Sequence, residues 1–310
     1  MSATRFFTGL HAIRRPPRHA VVTIGVFDGV HLAHQQLIRS VMRRAHRARG
    51  TSVVITFDPD PQIVLAPRTA HPMLMPFPVR LRHLRALGVD WIWVIPFTKH
   101  FARMTARQFI QRVLISRLCT RTLVVGETFA FGRQQRGDMD LLRTLGPSHG
   151  MTVIALRPIT RQGAPISSSR IRRLIAKGHV ARARQLLGRP PALYGQVVRG
   201  AGRGLQLGFP TANLRITSDV LPPPGVYAVR VSVDHQPRSW RGVMNLGTRP
   251  TFGPGALVCE VHLLGFSGIL QRRSLELSLL GRLRGERWFA SPQALVRQIR
   301  RDLVNARRYF

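Results

Sequence analysis

The chain has 310 residues, with 48 Lys and Arg against 13 Asp and Glu, a formal net charge of +35. At 44% hydrophobic residues it reads as globular rather than disordered, and a norm of roughly 150 residues per domain predicts two domains. No apolar run approaches the roughly 18 residues of a membrane helix, and Cys119 and Cys259 alone make neither a disulfide scaffold nor a cysteine-rich zinc site.

That cysteine usage, and a start without a continuous apolar stretch, predict a cytoplasmic chain with no secretory signal and no membrane partner. The cations are spread over the whole length, and all but Lys99 and Lys177 are arginine. With only 7% aromatics and no aromatic RNA-binding motif, specific nucleic-acid binding is not expected, whereas non-specific attraction of polyanions is. Nothing in the sequence sets an oligomeric state.

In chain order, short β-branched or aromatic runs stand at 21–25, 53–57, 91–96, 122–125 and 152–156. Each suits a strand buried on both faces. Between the first two, Leu37, Ile38, Val41, Met42 and Ala45 recur at helical spacing. Thr105 and Gln108 form a capping box that opens a helix over 109–118. Strand–helix alternation of this kind predicts a Rossmann-like, doubly wound parallel α/β sheet. Two more helical faces follow: Ile171, Leu174 and Ile175, then Val180, Ala183, Leu186 and Leu187, with Gly178 between them. Gly188-Arg189-Pro190-Pro191 breaks the pattern and places a domain boundary there, giving domains 1–188 and 189–310. Beyond it, Gly and Pro punctuate alternating segments at 194–198, 226–233, 240–246, 258–264 and 275–280, which predict a small antiparallel β-barrel or sandwich. Ser291-Pro292 then starts a last helix with the stripe Leu295, Ile299 and Leu303.

The stretch VVTIGVFDGVHLAHQQLI joins a strand, a loop and a helix start. Gly25 and Gly29 permit a tight turn and close approach of a ligand to the backbone. His31 and His34 share one face at a helix N-terminus, where free N–H groups and the dipole suit phosphate. Two imidazoles there can bind a nucleotide α-phosphate and stabilise charge as it is attacked. The same residues also fit an ordinary strand–helix turn carrying two polar histidines. A metal pair would need a third ligand that the spacing does not offer.

A second element is Ser167-Ser168-Ser169-Arg170-Ile171-Arg172. Arginines in a helix's first turn oppose the dipole, and a bound polyphosphate would remove that conflict. A plain serine cap with solvent-facing arginines is the other reading.

Taken together, these elements resemble nucleotidyltransferases with His-x-Gly-His and Ser-Ser-Thr motifs. They are most similar to the FMN adenylyltransferase module of bacterial bifunctional riboflavin kinase/FAD synthetases. TFDPDP at 56–61, GETFAFG at 126–132 and Arg136-Gly137-Asp138 add to the likeness. The resemblance implies that Gly25, Phe27, Asp28, Gly29, Ser167, Ser168, Ser169, Arg170 and Arg172 bind ATP and its phosphates. It implies that His31 and His34 are catalytic, and that Phe129, Arg136 and Asp138 contact flavin. Five positions depart from the family pattern: Val26 for Asn, Ala33 for Gly, Asp60 for His, Thr128 for Asn and Ser169 for Thr. Val26 cannot donate to phosphate, and Ala33 adds a methyl where the family lets nucleotide approach.

The second region opens with GAGRGLQLGFPTANL at 200–214. Gly200, Gly202, Gly204 and Gly208 give a backbone able to wrap phosphates. Thr211 and Asn213 offer two neutral oxygens two residues apart, which suits Mg²⁺ shared with phosphates and water. No Walker Gly-Lys-Ser/Thr is present, and a Gly-rich hairpin is the other reading. Glu260, inside the apolar VCEVHLL, is either a partnered strand carboxylate or a base placed for proton abstraction. This segment, GVYAV at 225–229, NLGTRPTF at 245–252 and EVHLL at 260–264 resemble the riboflavin kinase module, in order. The resemblance implies Mg²⁺–ATP on Thr211 and Asn213, with Gly202, Gly204 and Gly208 around the phosphates. It implies Glu260 as base and Gly225, Tyr227 and Arg249 near flavin. Gly265 and Gln271 depart from the family's Asp and Gly.

The implied function is two ATP-dependent steps. Riboflavin is phosphorylated to FMN, and FMN is then adenylylated to FAD with release of pyrophosphate. A kinase with a degenerate first domain, and an RNA-binding protein on a retained enzyme scaffold, are the alternatives.

Overall fold

The computed structural model describes residues 3–200, 203–236, 238–248 and 257–310. The chain divides into two compact units: Met1–His71 with Phe77–Ser167, and Pro72–Pro76 with Ser168–Phe310.

The first unit is built on six strands: β1 (Arg5–Thr8), β2 (Val21–Ile24), β3 (Ser52–Asp58), β4 (Trp91–Pro96), β5 (Thr122–Gly126) and β6 (Thr152–Leu156). Their order is β1-β4-β3-β2-β5-β6, and every pairing is parallel. The period-two alternation sorts side chains to two faces. Val22, Ile24, Val53, Ile55, Leu123 and Val125 join the larger core with Phe109, Ile110 and Leu114. Val21 and Val124 face the other way, against Val41 and Ala45 of the Leu32–Arg47 helix. Each such burial contributes roughly 1.5–3 kcal/mol. The chain leaves β2 at the point where strand order reverses, between β3 and β5. In sheets of this type, ligands bind in the crevice at the carboxyl ends of such strands. A short hairpin, β7 (Thr160–Arg161) with β8 (Ala164–Pro165), closes the unit.

The second unit starts with helices Ser168–Ala176 and Val180–Leu187, the latter ended by Gly188 in the left-handed region. Strands β9 (Ala192–Val198), β10 (Ala212–Ile216), β11 (Gly225–Val233), β12 (Ser239–Thr248), β13 (Leu257–Leu263) and β14 (Ser274–Arg284) form a closed antiparallel barrel. Its order is β10-β13-β12-β11-β14-β9. Leu193, Leu214, Val229, Met244, Cys259, Val261 and Leu277 are among the residues filling it. The Pro292–Ala306 helix, capped by Ser291 through the Ala294 N–H, packs against β11, β12 and β14. Pro72–Pro76 belongs here through two hydrogen bonds: Arg172 Nε donates to the Pro72 carbonyl, and the Met73 N–H donates to Asp219.

Both architectures match the expectation, with three differences. β1 is an additional edge strand, exposed along most of its length and paired, among the described residues, with β4 alone. β10 is a strand where the reading placed only a Gly-rich loop, because ANLRI follows the loop without a break. The helix expected over 109–118 opens at Thr105 with the capping box intact, but becomes a π-helix over Ile110–Ile115.

Candidate functional site

In the first unit, the loop after β2 holds Phe27 (φ 56°), Gly29 (φ 80°) and Val30 (φ 39°) in the left-handed region. For the two non-glycine residues this costs of order 1–3 kcal/mol each. Their burial, at 2% exposure apiece, over-determines the conformation. The Phe27 ring lies over Gly25, where a Cβ would stand 3.1 Å from it. The loop delivers His31 to the N-cap of the Leu32–Arg47 helix, its Nδ1 accepting from the His34 N–H at 3.3 Å. Nδ1 is therefore unprotonated, and the ring proton sits on Nε2.

His34 stacks on His31, with centroids 3.6 Å apart and planes at 19°. The edge of Phe27 closes on it at 5.2 Å. Burial, then His31, then Arg80 push the His34 pKa well below its ordinary 6.5. His34 Nδ1 is buried with no hydrogen-bond partner among the described residues, a deficit that a ligand can fill.

Arg80, only 1% exposed, ties this loop to the end of β3. It donates to the Val26 carbonyl at 2.8 Å and to the Phe57 carbonyl at 3.1 Å. Its guanidinium lies over Phe77, with Asp28, Asp60 and Asp58 as the acids that favour its charge. Asp28 and Asp60 are both buried. Asp60 caps the Pro61–Leu65 helix and stands 3.8 Å from His71. A line of aromatic rings runs Phe57–Phe97–Phe101–Phe109–Phe131–Phe129, and the last two are stacked at 5.4 Å. Arg136 is exposed, and Asp138 caps the Met139–Leu145 helix. Ser167 falls in this unit, while Ser168, Ser169, Arg170 and Arg172 fall in the second, on the first two turns of the Ser168–Ala176 helix.

In the barrel, strand register assembles one row. Asn213 pairs with Glu260, Glu260 with Asn245, Asn245 with Val226 and, across a bulge, Val226 with Arg284. Directly opposite residues share a face. Cys259 and Val261 point into the barrel, so Glu260 and its row point outward. Burial and the adjacent Glu260 push the Cys259 thiol up to about 12, which keeps it protonated and inert.

Two cavities meet at this row. One, of about 370 Å³, is lined by Thr211, Glu260, Asn245 and Arg284 together with Leu295 and Ile299 of the last helix. The other, of about 580 Å³, is lined by Arg199, Gly200, Thr211, Asn213, Phe266 and Gln271. Thr211 is a wall of both. Two glycines let the backbone pack closely on these side chains: a Cβ at Gly204 would stand 2.7 Å from Thr211 Oγ1, and one at Gly200 would collide with the Asn213 amide. Gly225 is in the left-handed range at φ 155°, and a Cβ there would collide with the Arg284 carbonyl. Gly208, at φ 81°, turns the chain into Phe209.

Two sequence patterns run along these two regions. The pattern described as FAD synthetase matches residues 13–170, and that described as riboflavin kinase matches 187–310. The bifunctional riboflavin kinase/FMN adenylyltransferase of Pseudomonas fluorescens is 38% identical over 306 residues, 96% of each chain. That of Escherichia coli strain K12 is 36% identical over 308 residues, 99% of this chain and 98% of its own. The chain belongs to the bifunctional riboflavin kinase/FMN adenylyltransferase family. It phosphorylates riboflavin to FMN and adenylylates FMN to FAD, with ATP as the second substrate of each step. A solved Streptococcus pneumoniae structure described as a macrolide-efflux protein is similar over 100% of both chains, with TM-score 0.87 and 30% identity. No helix among the described residues is long and apolar enough to cross a membrane.

The expected residues do not all line these cavities. Tyr227, expected near flavin, is fully buried inside the barrel and hydrogen-bonded to the Pro223 carbonyl. It alternates with Val226, and Val226 lines the cavity instead. Gly202 and Arg249 lie outside the described residues. Arg80 at the loop after β2, and Asn245 and Arg284 at the cavity wall, were not among the expected residues. Nothing local marks Arg80 among so many arginines, whereas the register opposite Glu260 could have found Asn245.

Proposed function

We propose that the two steps divide between the two regions, with 1–188 carrying adenylylation and 189–310 carrying phosphorylation, in the cytoplasm. The observation that carries the kinase half is that Thr211 is common to both cavities, with Glu260 in one and Asn213 in the other. Riboflavin occupies the cavity under the Pro292–Ala306 helix, against Gly225 and Arg284. ATP occupies the other, with its phosphates toward Thr211. Glu260 accepts the proton of the ribityl 5′-hydroxyl as that oxygen attacks the γ-phosphorus, and ADP leaves.

Thr211 and Asn213 would hold Mg²⁺. Both offer neutral oxygens and both line one cavity, and a hard cation that shares its shell with phosphates suits that donor set. When bound, the ion offsets phosphate charge. Gly202 and Arg249 keep their expected phosphate and flavin roles on the family resemblance alone.

In the adenylylation half, the FMN phosphate oxygen attacks the α-phosphorus of ATP and pyrophosphate leaves. His31 Nε2–H donates to the α-phosphate, and neutral His34 fills its unmet hydrogen bond on the same group. Gly25, Phe27, Asp28 and Gly29 shape the loop around the nucleotide. On the family resemblance alone, Ser167, Ser168, Ser169, Arg170 and Arg172 keep their expected role as hydroxyl and forked donors for phosphate. Phe129 offers a face to the flavin ring, with Arg136 and Asp138 beside it in sequence.

Replacing Glu260 with Gln keeps the shape and removes the base. Riboflavin phosphorylation is expected to fall by about 10²–10⁴, while added FMN is still converted to FAD. An unchanged phosphorylation rate removes Glu260 from the mechanism.

A further inference from the structure

His262 stands two residues beyond Glu260 on β13, so both side chains leave the outward face of the strand. Its Nδ1 lies 2.7 Å from the Pro210 carbonyl oxygen. A carbonyl only accepts, so Nδ1 carries the proton. The ring also meets Phe209 edge to face, with centroids 6.0 Å apart and planes at 82°. Phe209 and Pro210 are the two residues before Thr211. The β10–β13 pairing stops at Ala212 with Val261, and Pro210 has no N–H with which to extend it. The segment that presents Thr211 is thus held to β13 by the His262 side chain, beyond the end of the ladder. His262, Thr211 and Glu260 line the same cavity.

We propose that His262 is a positioning residue for riboflavin phosphorylation. Its Nδ1–H bond and its ring hold Phe209–Pro210, and so fix Thr211 between the two cavities, with Glu260 as the reference point on the same strand. This rests on the assignment of the kinase step to these cavities. In this role His262 acts through Thr211 rather than on the reacting groups.

The test uses the full chain and steady-state phosphorylation of riboflavin with Mg²⁺–ATP. His262→Phe keeps the ring against Phe209 and loses the donor. The KM for Mg²⁺–ATP should rise about tenfold, the yield of one lost hydrogen bond. Riboflavin affinity, read by quenching of its fluorescence, should change less than about twofold. His262→Asn places an amide N–H near the Nδ1 position and should recover most of the loss. His262→Gln places its amide one bond further out and should not. That Asn–Gln contrast is read even if His262→Phe lowers the barrel's stability. A wild-type KM in His262→Phe and His262→Gln overturns the proposal, as does equal loss in Asn and Gln. Glu260→Gln, run beside them, separates the two ideas. If it phosphorylates at the wild-type rate, the site assignment fails; if it is inactive while His262→Gln is normal, only the role of His262 fails.

Discussion

Two imidazoles stacked 3.6 Å apart cannot both be cationic at modest cost, and His34 is the one held neutral. Its pKa is lowered in the fold, so the unfolded chain binds the proton more readily. Stability therefore falls as pH drops below the ordinary 6.5, toward the lowered folded value. His34→Gln has no such proton to bind. Acidification from about pH 7 to pH 5.5 should lower the melting temperature of the first unit more in the natural chain than in His34→Gln. Equal slopes would contradict the neutral assignment. Arg80 is the second residue of consequence. Truncating it removes a donor from the Val26 and Phe57 carbonyls, of which Val26 keeps the Thr56 hydroxyl, and leaves Asp28 and Asp60 without their buried cation. Arg80→Ala should cost about 3–5 kcal/mol in urea unfolding of the first unit; a loss below about 1 kcal/mol would mean that the buried charges compensate one another without it. Neither effect is visible in sequence. His31 and His34 announce themselves by spacing at a strand–helix junction, but the cation that locks their loop is one arginine among many.

At the scale of elements, the last helix forms one wall of the cavity we assign to riboflavin, and one ion pair ties it to β14. Arg284 Nε and Nη2 both reach Asp302 at 2.9 Å, and Gln298 adds a third donor. Asp302 is 4% exposed, so its loss is not screened as a surface pair would be. Asp302→Asn should weaken riboflavin binding severalfold and leave conversion of supplied FMN to FAD unchanged; fluorescence titration and product analysis check both. Unaltered riboflavin affinity would mean that Leu295 and Ile299 hold the helix by packing alone. The helix itself was legible, since Ser291-Pro292 is a strong start and Leu295, Ile299 and Leu303 make a stripe. So were the five strands rich in β-branched residues in each unit. The edge strand β1 was not, because four mostly exposed residues carry no alternation. Nor was β10, because alternation is short-lived after a run of glycines. The inward turn of Tyr227 followed from the pleat, but only once the registers of β11 and β12 were known.

Over the whole molecule, 48 Lys and Arg cannot all find partners among 13 acids, and self-repulsion opposes the compact state at low ionic strength. Raising salt from about 20 mM to 300 mM should lift the melting temperature by several degrees, as screening shortens the Debye length from roughly 20 Å to under 10 Å. A falling melting temperature would mean that specific ion pairs outweigh the repulsion. The same charge draws in polyanions, and that attraction should weaken steeply with salt. The organisation into a parallel sheet and a barrel was legible because the two halves obey different periodicities. The decisive measurement for separate chemistry in the two is a chromatographic time course of riboflavin, ATP and Mg²⁺ with the natural chain and with His31→Ala. The natural chain should form FMN and then FAD; His31→Ala should form FMN at the same rate and no FAD. Equal loss of both products in His31→Ala would contradict two independent sites.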